Sequence, residues 1–412
     1  MKILMLPTYF EPERVASNYL SNNRDEAFAI AGFYMENYVP TPCRGISKEV
    51  REKYSRKEYR HQVILDGHYA VNRFSMFSEG KNPLMRALRY SLCSLIQLCK
   101  AISTKNIDCI FLVSTPPTQG LVGGLLKKIK KVPFVYNLQD IFPDSLAGTG
   151  LAKKDGLLWK IGRVIENFTY RNADKIIVIS EDFKRNIMAK GVPEEKIVVV
   201  YNWVDEEAVK HVAREENKLF DAYGLDRNKF YITYSGNIGL TQNMDMLLEV
   251  AKELETAEPD IQFVLIGEGA YKKRVQEIIT EQNIGNVTLL PFQPYEDISH
   301  VFSLGDVGLV ISKPGVGENS VPSKTWSILS ASRPVLANFD ENELKTIVAE
   351  NQCGIFTKAG DKEAFKQAVL DLYHDRARCE QLGRNGREFI LKNLTRAVGT
   401  QKYVDVIKGF GV

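Results

Sequence analysis

The chain holds no D-x-D triad, and its five histidines, His61, His68, His211, His300 and His374, fall at no metal-ligand spacing, so no essential metal is expected. Its six cysteines, Cys43, Cys93, Cys99, Cys109, Cys353 and Cys379, form no C-x-x-C pair. The opening Met1-Lys2-Ile3-Leu4-Met5-Leu6 lacks the long apolar core of a secretory signal. Together these point to a reducing cytoplasm. No window reaches the roughly 18 uninterrupted apolar residues of a spanning helix. Charge of one sign is scarce: 54 Lys and Arg face 51 Asp and Glu, a formal net charge of +3, whereas a nucleic-acid protein would carry a strongly basic footprint. No G-x-G-x-x-G follows the first apolar run, which continues into Pro7-Thr8-Tyr9-Phe10-Glu11-Pro12, and this excludes a nicotinamide-binding start. The absence of short repeats excludes a solenoid.

What is present is an ordinary globular composition, 44% hydrophobic and 25% charged, in 412 residues, enough for two hydrophobic cores. Short apolar or β-branched runs alternate with helical patterns, the signature of βαβ units and parallel sheets. In the first half the expected strands are Lys2 to Leu6, Phe28 to Tyr34, Cys109 to Val113, Phe134 to Leu138, Lys175 to Ile179 and Lys196 to Tyr201. After a polar stretch, Asp205 to Lys218, the pattern restarts with Tyr231 to Ser235, Gln262 to Ile266, Val287 to Leu290, Val307 to Ile311 and Val335 to Ala337. The expected fold is α/β, with two doubly wound Rossmann-like domains facing across a cleft and divided near residue 205. Ligands in such sheets bind at the carboxyl ends of the strands.

Three loops there carry chemistry. Gly236-Asn237-Ile238-Gly239, followed by Gln242, lets backbone approach a ligand closely, although Gly-Asn is also an ordinary turn. Gly267-Glu268-Gly269 places one carboxylate at a strand tip, either to bond a hydroxyl or as a solvated turn acid. The third runs from Lys313 through Glu318, Asn319, Ser320, Val321, Pro322 and Ser323 to Lys324. Pro322 suits a first helical turn, leaving the N–H groups of Ser323, Lys324 and Thr325 to meet an anion. Lys324 would offset charge on a departing phosphate, with Glu318 or Asn319 on sugar hydroxyls. A Walker A loop needs glycine directly before its lysine; Ser323 stands there, and Pro322 removes a cradle N–H.

These residues resemble the family 4 retaining glycosyltransferases of the GT-B fold, particularly the subgroup that assembles bacterial capsule, O-antigen and exopolysaccharide units. The resemblance runs through Tyr9-Phe10-Glu11-Pro12-Glu13, Gln139-Asp140-Ile141-Phe142-Pro143-Asp144-Ser145, Val178-Ile179-Ser180-Glu181 and Tyr201-Asn202-Trp203-Val204-Asp205. It continues in Ser235 to Gly239, Ile266 to Gly269, Leu289-Leu290-Pro291-Phe292 and Val321 to Lys324.

The resemblance implies an acceptor-binding domain of residues 1–205, a nucleotide-sugar domain of 206–394, and a segment of about 395–412 that crosses back. It implies front-face transfer with retention and no cofactor, the nucleotide sugar being a substrate. Asp140, Lys324 and Glu318 would serve catalysis. Gly236, Asn237, Gln242, Glu268, Phe292, Asn319, Ser320, Val321, Ser323 and Ser327 would hold the donor, and Tyr9, Phe10, Glu13 and Gln139 would face the acceptor. The family's arginine and lysine correspond here to Asn237 and Gln242, so Lys324 carries more of the positive charge. Its paired glutamates correspond to Asn319 and Ser327, with Glu318 recovering the first if the loop shifts by one residue.

The donor implied is a UDP-sugar, and the acceptor a saccharide or an undecaprenyl-diphosphate-linked saccharide. A nucleotide-sugar epimerase of the same architecture and a non-catalytic sugar-nucleotide-binding relative are the alternatives. Lys127, Lys128, Lys130 and Lys131 end one helix, where a solvated terminal turn explains them. The segment Leu84 to Ile102 is apolar but for a stripe of Arg86, Arg89, Gln97 and Lys100, and reads as a helix packed on a sheet. The other use of both features is peripheral contact with the inner face of the membrane.

Overall fold

The computed structural model describes residues 1–13, 18–79, 82–145, 156–317 and 321–411. The chain divides into two compact units, Met1–Tyr201 with Gly399–Val412, and Asn202–Val398.

Among the described residues the first unit holds eight strands: β1 (Lys2–Met5), β2 (Tyr34–Pro40), β3 (His61–Ile64), β4 (Tyr69–Phe74), β5 (Cys109–Val113), β6 (Phe134–Leu138), β7 (Lys175–Val178) and β8 (Ile197–Val199). Their order is β3-β4-β2-β1-β5-β6-β7-β8, and every pair is parallel except β3 with β4. All five residues of β6 are buried, as expected of a parallel strand covered on both faces. Strand order reverses between β1 and β5, so the loops after those strands flank a switch point.

The second unit holds β9 (Phe230–Ser235), β10 (Ile261–Ile266), β11 (Val287–Leu290), β12 (Val307–Ile311), β13 (Val335–Phe339) and β14 (Gly354–Lys358), ordered β11-β10-β9-β12-β13-β14 and all parallel. Its switch point lies between β9 and β12, between the loops that begin at Gly236 and Ser312.

Two expectations from sequence fail. The strand expected at Phe28 to Tyr34 is the end of a helix, Asn18–Ile30, followed by a turn into β2. Gly32, at φ +80, closes that helix: its N–H bonds Ala29 O at 2.9 Å and the Phe33 N–H bonds Phe28 O at 3.0 Å, a Schellman arrangement that only glycine enters without strain. Phe28 and Phe33 then pack edge to face at 5.8 Å, so their apolar recurrence reflects a capped helix rather than a pleat. The second failure concerns the helix Pro83–Ser103. Its stripe is half inverted: Arg89 and Gln97 are fully buried, and Gln97 donates to the carbonyls of Pro7 (3.0 Å) and Tyr38 (2.8 Å). Leu84, Leu88 and Leu95 face outward, 80%, 48% and 56% exposed. Among the described residues no helix is long and apolar enough to cross a membrane.

The final helix, Arg396–Lys408, supplies the first unit from Gly399 onward. Buried Tyr403 meets the Phe111 ring at 6.0 Å and donates to Asn137 Oδ1 at 3.2 Å.

Candidate active-site loops

In the second unit the loops after β9 and β10 are stitched together through backbone. The N–H of Gly236 bonds Ile266 O at 2.9 Å, that of Ile238 bonds Glu268 O at 2.8 Å, and that of Tyr271 bonds Ile238 O at 3.0 Å. Gly236 and Gly267 sit at φ +142 and +147, a region closed to side chains. A Cβ on Gly267 would lie 2.0 Å from Gly236 O, and one on Gly269 would lie 2.1 Å from Ile238 O. Two expected ligand groups also serve the loop itself: Gln242 Oε1 accepts the Gly239 N–H at 3.0 Å, and the Asn237 carbonyl accepts the Tyr234 hydroxyl at 2.6 Å. Glu268 is exposed and pairs with Lys272 at 2.6 Å, which holds its carboxyl below the ordinary range. Phe292, in the loop after β11, is 71% exposed.

Lys324 opens the helix Lys324–Ser330. Its ammonium lies 3.9 Å from the centroid of the Tyr234 ring, and a Cβ on Gly236 would come within 3.1 Å of it. Among the described residues no carboxylate pairs with it. Desolvation lowers its pKa to about 7, because burial disfavours a charged amine. Of the three amides expected to be open, that of Thr325 instead donates to Pro322 O at 2.9 Å, tightening the first turn. Ser323 is exposed, Val321 is half-buried, and Ser327 lies one turn along the same helix. Glu318, Asn319 and Ser320 lie outside the described residues.

Asp340 and Asn342, just past β13, were not read as site residues from the sequence. Asp340 accepts the N–H groups of Gly315 (2.9 Å) and Gly317 (2.7 Å), and Asn342 donates to Gly317 O at 2.9 Å. They hold the loop leading to Lys324. The Lys313 N–H bonds Thr241 O at 2.8 Å, which ties that loop to the one after β9.

In the first unit Gln139 and Asp140 follow β6, and their N–H groups both donate to Ser114 Oγ, at 3.0 and 3.2 Å. Burial pushes the Asp140 carboxyl up, opposed by a 3.1 Å bond from the Ser145 hydroxyl. Tyr9, Phe10 and Glu13 share the loop after β1. The Tyr9 hydroxyl donates to Glu79 at 2.5 Å and lies 2.8 Å from the Tyr90 hydroxyl. Phe10 meets Tyr69 edge on at 5.5 Å. Glu13 is buried and accepts three backbone N–H groups, of Phe10, Cys43 and Arg44, at 3.1, 2.8 and 3.0 Å. It latches the loop after β1 to the one after β2.

Two Rossmann-like sheets with switch points, one of them carrying glycine loops around a lysine that pairs with no carboxylate among the described residues, define an α/β protein of the two-sheet class. Comparison with known proteins agrees. The family described as glycosyl transferases group 1 matches residues 215–389, and that described as glycosyltransferase family 4 matches residues 50–208. The protein named as the colanic acid biosynthesis glycosyl transferase WcaI of Escherichia coli (strain K12) is 26% identical over 336 residues, 80% of this chain and 81% of that one. The glycosyltransferase named WbjE of Pseudomonas aeruginosa is 23% identical over 343 residues, 82% of each chain. The crystal structure of HepE of Anabaena in complex with UDP-glucose superimposes with a TM-score of 0.69 at 18% identity, covering 99% of this chain and 100% of that one. The chain belongs to the family 4 glycosyltransferases and is a transferase with two Rossmann-like parallel sheets.

Proposed function

We propose that the chain moves a sugar, with retention of anomeric configuration, from a UDP-sugar to a saccharide or undecaprenyl-diphosphate-linked acceptor during assembly of a bacterial surface polysaccharide. The observation that carries the donor half is the unpaired ammonium of Lys324 beside Gly236. The acceptor hydroxyl attacks the anomeric carbon from the side on which the diphosphate leaves. As the bond to the diphosphate breaks, a phosphate oxygen takes the hydroxyl proton and Lys324 offsets the charge left behind. The glycine loops carry no side chains that would keep the diphosphate from the backbone, Asp140 is assigned to the acceptor side, and no metal is assigned a part. A solved structure holding UDP-glucose supports a uridine donor, and a relative named for colanic acid biosynthesis supports an exopolysaccharide product. The test is a panel of nucleotide sugars incubated with lipid-linked saccharide acceptors and read by mass spectrometry. Donor should disappear only when acceptor is present. Conversion of donor alone would mean an epimerase, and binding without product a non-catalytic relative.

A membrane role rests on the helices Pro83–Ser103, Thr118–Lys130 and Leu157–Asn172, which pack side by side. Besides the outward leucines of the first, Leu157, Ile161 and Val164 are exposed at helical spacing on the third. Basic attraction is weaker than the sequence suggested: Lys127 pairs with Asp174 at 2.6 Å, and Lys130 donates to Ile102 O at 2.6 Å. Contact with the inner face of the membrane would therefore depend on apolar area. Leu88→Glu should weaken cosedimentation with phosphatidylglycerol vesicles by ~10-fold or more, since one buried leucine contributes about 1.5 to 3 kcal/mol. An unchanged partition with circular dichroism intact would reject this surface.

A further inference from the structure

At the amino ends of β9, β12 and β13 the second unit holds a cavity of volume ≈ 700 Å³, within the range of small-molecule sites. The six-residue strand β9 separates it from the glycine loops by about 20 Å. Its walls are rich in guanidinium groups. Arg227 is neutralised by Asp221, at 2.7 and 3.0 Å, and Lys229 by Asp260 at 2.6 Å. That leaves Arg214, Arg333, Arg376 and Arg384 against the carboxylates of Asp306 and Glu380. Asp306 is shared, 2.5 Å from Arg214 and 3.9 Å from Arg376, and Glu380 lies 3.6 Å from Arg384. Arg333 has no carboxylate partner among the described residues. Its Nη2 donates to Ser303 O at 3.0 Å, and its buried Nε has no hydrogen-bond partner.

Burial disfavours the charge of Arg333, the carboxylates of Asp306 and Glu380 offset that only from a distance, and the planar fork of a guanidinium matches a phosphate group. We propose that this cavity binds a small phosphorylated anion, with Arg333 and Arg376 as donors and Arg214, already bonded to the Arg227 and Lys229 carbonyls and to Asp306, adding its charge from the wall. The surplus of positive charge on the wall suits a doubly charged ligand. The Phe230 ring, 4.1 Å from centroid to guanidinium, holds Arg376 at the cavity wall. The site is independent of the donor assignment, since none of its residues borders Lys324.

The test is isothermal titration of the full chain with inorganic pyrophosphate in saturating UDP, alongside cosedimentation with phosphatidylglycerol vesicles. The parent protein and Lys324→Ala should both bind pyrophosphate saturably, and Arg376→Glu should weaken that binding ~10-fold or more. Arg333→Gln should do the same. Because that partly buried position can compromise folding, the exposed Arg376 variant decides the matter. Saturable binding of vesicles alone, lost in Arg376→Glu, would identify the phosphate as a lipid headgroup. Absence of both forms of binding, or binding indifferent to Arg376→Glu, overturns the proposal.

Discussion

Lys324→Ala should lower turnover of a UDP-sugar by ~10²-fold or more, the loss typical when a single preorganised donor to a developing charge is removed. The ammonium of Lys272, just past the loop after β10, is held by Gly267 O at 2.9 Å and by Glu268 at 2.6 Å. Gln242, where a second cation was a natural expectation, has its side-chain oxygen on the Gly239 N–H instead. The helix that begins at Lys324 has only seven residues, so its dipole adds little to the ammonium. The same residue sets a pH dependence. With the free ammonium titrating at about 7, and a bound diphosphate favouring the charged form, donor binding takes up a proton above that pH. The kcat/KM for donor should be flat below pH 7 and fall as pH rises through it. Lys324→Arg, charged at every working pH, should flatten the alkaline side. Parent-level turnover in Lys324→Ala would remove Lys324 from the mechanism, and an unaltered pH profile in Lys324→Arg would mean that another group titrates.

Gly267→Ala has the largest expected effect on stability. The new methyl would stand 2.0 Å from Gly236 O at a backbone φ of +147. Relief requires moving the loop that borders Lys324, so stability and donor binding should fall together. A loss of roughly 2 to 4 kcal/mol is expected from the clash and the left-handed strain combined. In a unit of this size that is a drop in Tm of about 5 to 15 °C by calorimetry. Gly224→Ala is the control: its φ is +63, but a Cβ there meets nothing within 4 Å, so only the strain applies. Equal melting temperatures for the two variants would show that the loop contact is not the constraint.

The parallel sheets were legible because their strands are largely buried and read as short, mainly apolar runs. Cys109–Val113, Phe134–Leu138, Val287–Leu290 and Val307–Ile311 have the same ends in sequence and structure. The edge of the first sheet was not. The hairpin of β3 and β4 turns at Leu65, Asp66 and Gly67, all at positive φ, and Asp66-Gly67 between alternating runs was a usable signal that went unread. The glycines at strand ends stood out because a close approach of two backbones needs glycine wherever it occurs. Asp340 and Tyr234 did not stand out. A carboxylate holding a loop 25 residues upstream, or a ring under a lysine, has no fixed spacing along the chain. The leucines of Pro83–Ser103 show the limit of periodicity: it finds two faces but cannot say which is covered when a buried arginine and glutamine bond backbone carbonyls.

Tyr403, deep beside Phe111, also orders events during synthesis. The ribosome makes β1 to β8 first but reaches this side chain only after all of Asn202–Val398 has emerged. At about 5 to 20 residues per second, the slot beside Phe111 stays unfilled for roughly 10 to 40 s. The second unit is continuous in the chain, whereas the first is completed only by residues made after it. A nascent chain arrested before residue 399 should therefore expose an apolar slot to chaperones that the released protein hides.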